Sequence, residues 1–234
     1  MMKKTTPDFA KFEEISGITF KNKELLKRAF THRSYLNENR SLESSHNERL
    51  EFLGDAVLEL MITEYLYDKY PDSNEGDLTA YRASLVNAIT LSEAAQKIHV
   101  NDFLLLSKGE AKDTGKARQY ILANTMEAII GAIYLDQGYD ASKYFISKNL
   151  FHLIDKIIED KSWIDAKSKF QEKAQENEGT TPLYKSLKEE GPDHDKKFTI
   201  GVYLDKIKVA EGIGKSKQEA EQEAAKKALE IKEW

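Results

Sequence analysis

Apolar residues recur at three- and four-residue spacing through most of residues 20–158. Leu50, Leu53, Val57, Leu60, Met61 and Tyr65 make one such stripe, and Ile121, Leu122, Met126, Ile129, Ile130 and Ile133 make another. That period belongs to helices that bury one face, so this part of the chain has to build its core by packing helix on helix. Breakers cut the pattern at 70–76, 112–115 and 137–139. After residue 158 the texture changes. A polar stretch leads into a helical run over 165–177, then a turn-rich segment over 178–182. Three strand-like pieces follow at 183–190, 197–204 and 206–214, and a helical segment at 216–232 ends the chain. The spacing therefore predicts a mostly α protein: an all-helical domain, residues 1–160, followed by a small α+β domain of order α-β-β-β-α, residues 161–234. The boundary falls within 158–165.

At 234 residues and 40% hydrophobic, the chain can form one large or two small domains with a real core. The absence of cysteine rules out a disulfide framework, thiolate metal sites and cysteine catalysis. No run of about 18 apolar residues suggests a membrane span, and the N-terminal lysines have no apolar stretch behind them to make a secretory signal. A cytoplasmic protein is expected. The 35 basic and 40 acidic residues leave a net charge of −5. As a total, that weighs against a nucleic-acid partner, so such a function would have to come from where the charges are placed.

Their placement on the first long helix is informative. At 100° per residue, Glu48, Glu51 and Asp55 fall within roughly 60° of one another, with Leu50, Leu53 and Val57 roughly opposite. Like charges at these spacings repel, so the arrangement does not serve the helix itself. A plain solvated face is the ordinary explanation. Against it, Gly54 sits mid-helix at a cost of roughly 1 kcal/mol, which points to close approach by another backbone or a ligand. Phe52 also lies among the acids, where a solvated face would not want it. A second helix carries Asn124 and Glu127 at i, i+3 amid apolar neighbours. Carboxylates converging from two helices would make an all-oxygen site for a hard cation such as Mg²⁺, able to promote phosphodiester hydrolysis.

The run Asn47-Glu48-Arg49-Leu50-Glu51-Phe52-Leu53-Gly54-Asp55-Ala56-Val57-Leu58 resembles the signature of the ribonuclease III family. Supporting blocks are Thr31-His32-Arg33-Ser34, Asn74-Glu75-Gly76-Asp77-Leu78, Arg82-Ala83-Ser84-Leu85-Val86-Asn87, Lys108-Gly109-Glu110 and the run from Ala128 through Gly131 to Asp136. The resemblance implies a homodimeric endoribonuclease that cuts double-stranded RNA with Mg²⁺, with Mn²⁺ able to substitute and no small-molecule cofactor. It implies 5′-phosphate and 3′-hydroxyl ends, and substrates among ribosomal-RNA precursors and some messenger RNAs. By motif position, Glu51, Asp55 and Glu127 match metal-site carboxylates, Glu48 and Glu75 match assisting acids, and Phe52 matches a dimer-interface aromatic. The family usually has Asp where this chain has Asn124, whose carbonyl can coordinate but which brings no charge. Two readings stay open: an active enzyme with weakened Mg²⁺ affinity, favoured by the remaining carboxylates, or a cleavage-deficient regulator that binds double-stranded RNA.

In the second domain, Gly212 and Gly214 suggest a tight strand-to-helix turn, Ser216 is a good N-cap, and Lys215 and Lys217 flank a helix N-terminus suited to an anion. A plain capped helix would read the same way. The element order resembles a double-stranded RNA-binding domain, a module that reads A-form shape across about 16 base pairs. The resemblance assigns minor-groove contacts to Gln171, Glu172, Pro192 and His194, and phosphate contacts to Lys215, Ser216 and Lys217.

Overall fold

The structure, a computed structural model, describes residues 7–39, 45–159, 165–192 and 196–234. Contacts divide the chain into Met1–Trp163 and Ile164–Trp234. No helix among the described residues is long and apolar enough to cross a membrane.

The first unit runs α1 (Phe9–Ser16), α2 (Lys23–Ala29), α3 (Arg33–Glu38), α4 (Glu48–Lys69), α5 (Glu75–Val86), α6 (Ala88–Lys97) and α7 (Val100–Phe103). After a 3₁₀ turn come α8 (Lys116–Gln137), α9 (Tyr139–Ile146), a π turn and α10 (Leu153–Glu159). Asn22, Asn74 and Asn87 start α2, α5 and α6, each side chain accepting a hydrogen bond from a first-turn N–H.

The centre of this unit is the pair α4 and α8. Leu50, Leu58, Met61 and Ile62 from one helix are buried against Met126, Ala128, Ile129, Ile130 and Ile133 from the other. The two backbones touch at a pair of glycines. A Cβ on Gly54 would stand 1.8 Å from the Glu127 backbone carbonyl oxygen, and one on Gly131 would stand 2.2 Å from that of Leu50. The mid-helix glycine thus admits another backbone, the first of the two possibilities its position raised.

In the second unit, α11 (Ala166–Glu178) precedes an antiparallel sheet of order β1 (Leu183–Glu190), β2 (Lys197–Leu204), β3 (Ile207–Gly214), and α12 (Lys217–Lys232) closes the chain. Strand pairing runs from Leu183↔Tyr203 to Glu190↔Lys197 and from Phe198↔Gly214 to Leu204↔Ile207. Phe170, Val202, Leu204, Ala224, Ala225 and Leu229 form the core between the sheet and its helices. Here one sequence expectation needs correction. Gly212 and Gly214 do not form the turn before α12; they are paired residues of β3. Added Cβ atoms would stand 2.2 Å from the Ala220 carbonyl oxygen and 2.5 Å from the Ala220 nitrogen. Their bareness lets α12 lie directly on the strand.

Candidate functional site

Helix α8 is so central that every residue from Ile121 to Ile133 is buried except Asn124 and Glu127. Polar side chains at the two open positions of an otherwise buried stretch have to meet something, and the Gly54–Gly131 crossing brings them to the acidic stripe of α4. Asn124 lines a cleft of about 310 Å³ together with Glu48 and Glu51. Its amide hydrogen-bonds the Glu51 carboxylate.

The electrostatics show the convergence. Burial, reinforced by the negative charges of Asp55 and Glu51, pushes the Glu127 carboxyl up from 4.5 to about 8. Burial and then the charge of Glu48 also raise Glu51, and the hydrogen bond from Asn124 opposes that rise. Three carboxyls within electrostatic reach on a partly desolvated face cannot all stay ionised, so one proton is retained near neutral pH. Among the described residues, no three His, Cys, Asp or Glu side chains stand close enough together to hold a metal ion by themselves. An all-oxygen donor set that holds a proton because of burial and, after that, of neighbouring negative charge has the chemistry to suit a hard divalent cation.

Glu48 is the first residue of α4, 3.7 Å from Arg33 Nη1 and 3.8 Å from His46 Nδ1. Glu75 is not brought to this cleft: it lines a separate one with Tyr67 and Arg82. Phe52 points away from the core and is 82% exposed. The cleft also contains three residues to which the sequence reading gave no role, His32, Arg33 and Tyr120. The first two were visible in the Thr31-His32-Arg33-Ser34 block, whereas the only trace of Tyr120 was its place one turn before Asn124. Burial is the main cause holding the His32 imidazole below its usual value, and its Nδ1 accepts a hydrogen bond from the Ser34 N–H at 3.3 Å.

In the second unit Gln171 and Glu172 are exposed on α11, in a surface groove with Ser168 and Gln175. Pro192 is exposed, and His194 lies outside the described residues. Ser216 caps α12 as expected, its Oγ accepting from the Glu219 N–H at 3.1 Å. Glu219 in turn accepts from the Lys215 N–H at 2.8 Å, one residue before the cap. The helix end therefore carries a carboxylate of its own, which weakens its appeal to an outside anion. Lys217 is held by Glu189 at 2.8 Å, while the Lys215 side chain is exposed.

Fold and site define a two-domain class: a helical unit presenting oxygen ligands suited to phosphodiester chemistry, and a small α+β unit with the form of an RNA-binding module. Residues 22–154 match the ribonuclease-III-like family and residues 166–232 match the double-stranded RNA binding motif. Ribonuclease 3 of Pelotomaculum thermopropionicum is 46% identical over 91% of this chain and 88% of its own length. Ribonuclease 3 of Bdellovibrio bacteriovorus is 45% identical over 94% of each. The solved nuclease domain of ribonuclease III from Campylobacter jejuni aligns with a TM-score of 0.55 at 42% identity, covering 61% of this chain and 98% of that domain. The chain belongs to the ribonuclease III family of double-stranded-RNA endonucleases.

Proposed function

We propose that the protein hydrolyses both strands of double-stranded RNA with Mg²⁺, leaving 5′-phosphate and 3′-hydroxyl ends. It acts as a cytoplasmic homodimer, on ribosomal-RNA precursors and some messenger RNAs. The observation that carries the reading is the placement of Glu127, partly buried on α8 beside Asp55 and Glu51, where burial and those charges raise its carboxyl to about 8. Its perturbation has the cause expected of acids assembled for a cation and a phosphodiester. Glu51, Asp55 and Glu127, with the Asn124 carbonyl, would hold the ion. Bound there, it supplies the Lewis acid that activates water and offsets charge on the phosphate.

The chain's own residues do the rest. Glu127 gives up its proton when the site fills. Asn124 steadies Glu51 in its charged form, so the missing fourth charge is partly compensated, and this favours the active enzyme over the cleavage-deficient regulator. Glu48 adds negative potential at the rim beside Arg33. Lys215 and Lys217 reach phosphates along the duplex, while Gln171, Glu172 and Pro192 face its minor grooves. Phe52, 82% exposed beside the acids, packs into a second copy. Support for pairing comes from the Campylobacter jejuni domain, which has a region involved in dimer formation.

The test is a long RNA duplex incubated with the protein in Mg²⁺, Ca²⁺ or EDTA. Cleavage confined to the Mg²⁺ lane, with 5′-phosphate ends, is expected. Glu127→Gln should abolish cleavage and leave duplex binding intact; retained cleavage would remove Glu127 from the site.

A further inference from the structure

We infer that Arg33, His32 and Tyr120 form a subsite for the phosphate–ribose backbone of a nucleotide adjoining the bond that is cut. This rests on the reading above that the carboxylates work on an RNA phosphodiester. All three residues line the same cleft as Glu51 and Asn124. At about 310 Å³ that cleft is at the small end of ligand sites, large enough for one nucleotide unit and too small for a duplex.

The segment is built to hold its position. Asn47, buried at the start of α4, donates its backbone N–H to the Thr31 carbonyl at 2.9 Å and its side-chain amide to the Ala29 carbonyl at 3.2 Å. The His32 N–H is tied to the Leu105 carbonyl at 3.1 Å. Thr31 is therefore fastened to the cap of the acidic helix and His32 to Leu105 before any substrate arrives, which is the preorganisation a positioning site needs.

Each side chain offers what a sugar–phosphate backbone takes. Because His32 Nδ1 accepts from the Ser34 N–H, a neutral ring carries its proton on Nε2, leaving a donor for a phosphate or ribose oxygen. The Arg33 side chain is 70% exposed, and its 3.7 Å contact with Glu48 is too long for a hydrogen bond. Such an exposed pair holds weakly, so an incoming phosphate can take the guanidinium with two parallel hydrogen bonds. Tyr120 is 50% exposed and stands one turn before Asn124 on α8, a flat face for a ribose or base. The cation of Arg33 also gives the substrate an anchor beside acids that would otherwise repel it.

The experiment measures binding of an RNA duplex in Ca²⁺ across a salt series, with Lys97→Gln on α6 as an exposed control outside the cleft. Arg33→Gln is expected to bind roughly tenfold more weakly at low salt, with the slope of log affinity against log salt shallower by about one. Arg33→Lys should keep the slope, which guards against mere misfolding. In Mg²⁺, Tyr120→Ala should raise KM several-fold and Tyr120→Phe should not. An unchanged slope in Arg33→Gln, while the wild type still cleaves duplex, overturns the subsite alone. A wild type that neither binds nor cleaves duplex overturns the reading beneath it as well.

Discussion

The retained proton on Glu127 makes the metal-free protein sensitive to pH in an unusual direction. Its carboxyl is raised from 4.5 to about 8, chiefly by burial and then by Asp55 and Glu51. Between those values the folded chain holds a proton that the unfolded chain has released. Stability then falls as pH rises across the window, opposite to the usual carboxylate paired with a cation. At about 1.4 kcal/mol per tenfold, the full difference corresponds to on the order of 5 kcal/mol. Partial exposure and solvent screening bring the expected loss to roughly 2–4 kcal/mol. Replacing Glu127 by Gln removes the titrating group while keeping its size. The comparison is thermal unfolding of the helical unit, wild type against Glu127→Gln, in EDTA at pH 5 and at pH 8.5. At pH 5 the two should melt together. At pH 8.5 the variant should melt higher by on the order of 5–10 °C, and saturating Mg²⁺ should close the gap by stabilising the wild type alone. Parallel pH profiles for the two proteins in EDTA would refute the reasoning, because they would mean that Glu127 carries no extra proton when folded.

Gly54→Ala forces a methyl group to 1.8 Å from a backbone oxygen of α8, so it should destabilise the helical unit by about 3 kcal/mol or more, read as a lower melting temperature together with lost cleavage. Asn124→Asp removes the amide donated to Glu51 and adds a charge, so half-maximal cleavage should come at a lower Mg²⁺ concentration; a metal titration identical to wild type would count against Asn124 as a ligand. Phe52→Ala should weaken self-association roughly tenfold or more, visible by sedimentation as a shift toward monomer at micromolar concentration.

The helix period over residues 20–158, the order of elements after it and the shared face of Glu48, Glu51 and Asp55 were all legible in the sequence, because each depends on spacing within a single element. The same spacing exposed Gly54 as a place of close approach. It could not say whether a backbone or a ligand approaches, since that depends on a helix more than seventy residues away, and the answer is Gly131 with the Glu127 carbonyl. Gly212 and Gly214 were misread for a related reason. A bare position looks alike in a turn and in a strand under a helix, and only the pairing with β2 separates the two. Glu75, acidic and inside a matched block, lines another cleft, while His32 and Arg33 from one stretch of chain and Tyr120 from another meet Glu48 and Glu51.

What the sequence determined by itself was the set of elements and the chemistry each one carries, through periods of 3.6 and 2 that every short segment states locally. Tertiary structure alone decided which of those groups meet. The crossing of α4 and α8 buries Glu127 beside Asp55 and Glu51, and burial with like charges gives an ordinary carboxyl a proton it keeps to about pH 8. Desolvation and Coulomb repulsion act through space, so no spacing along the chain could have revealed them.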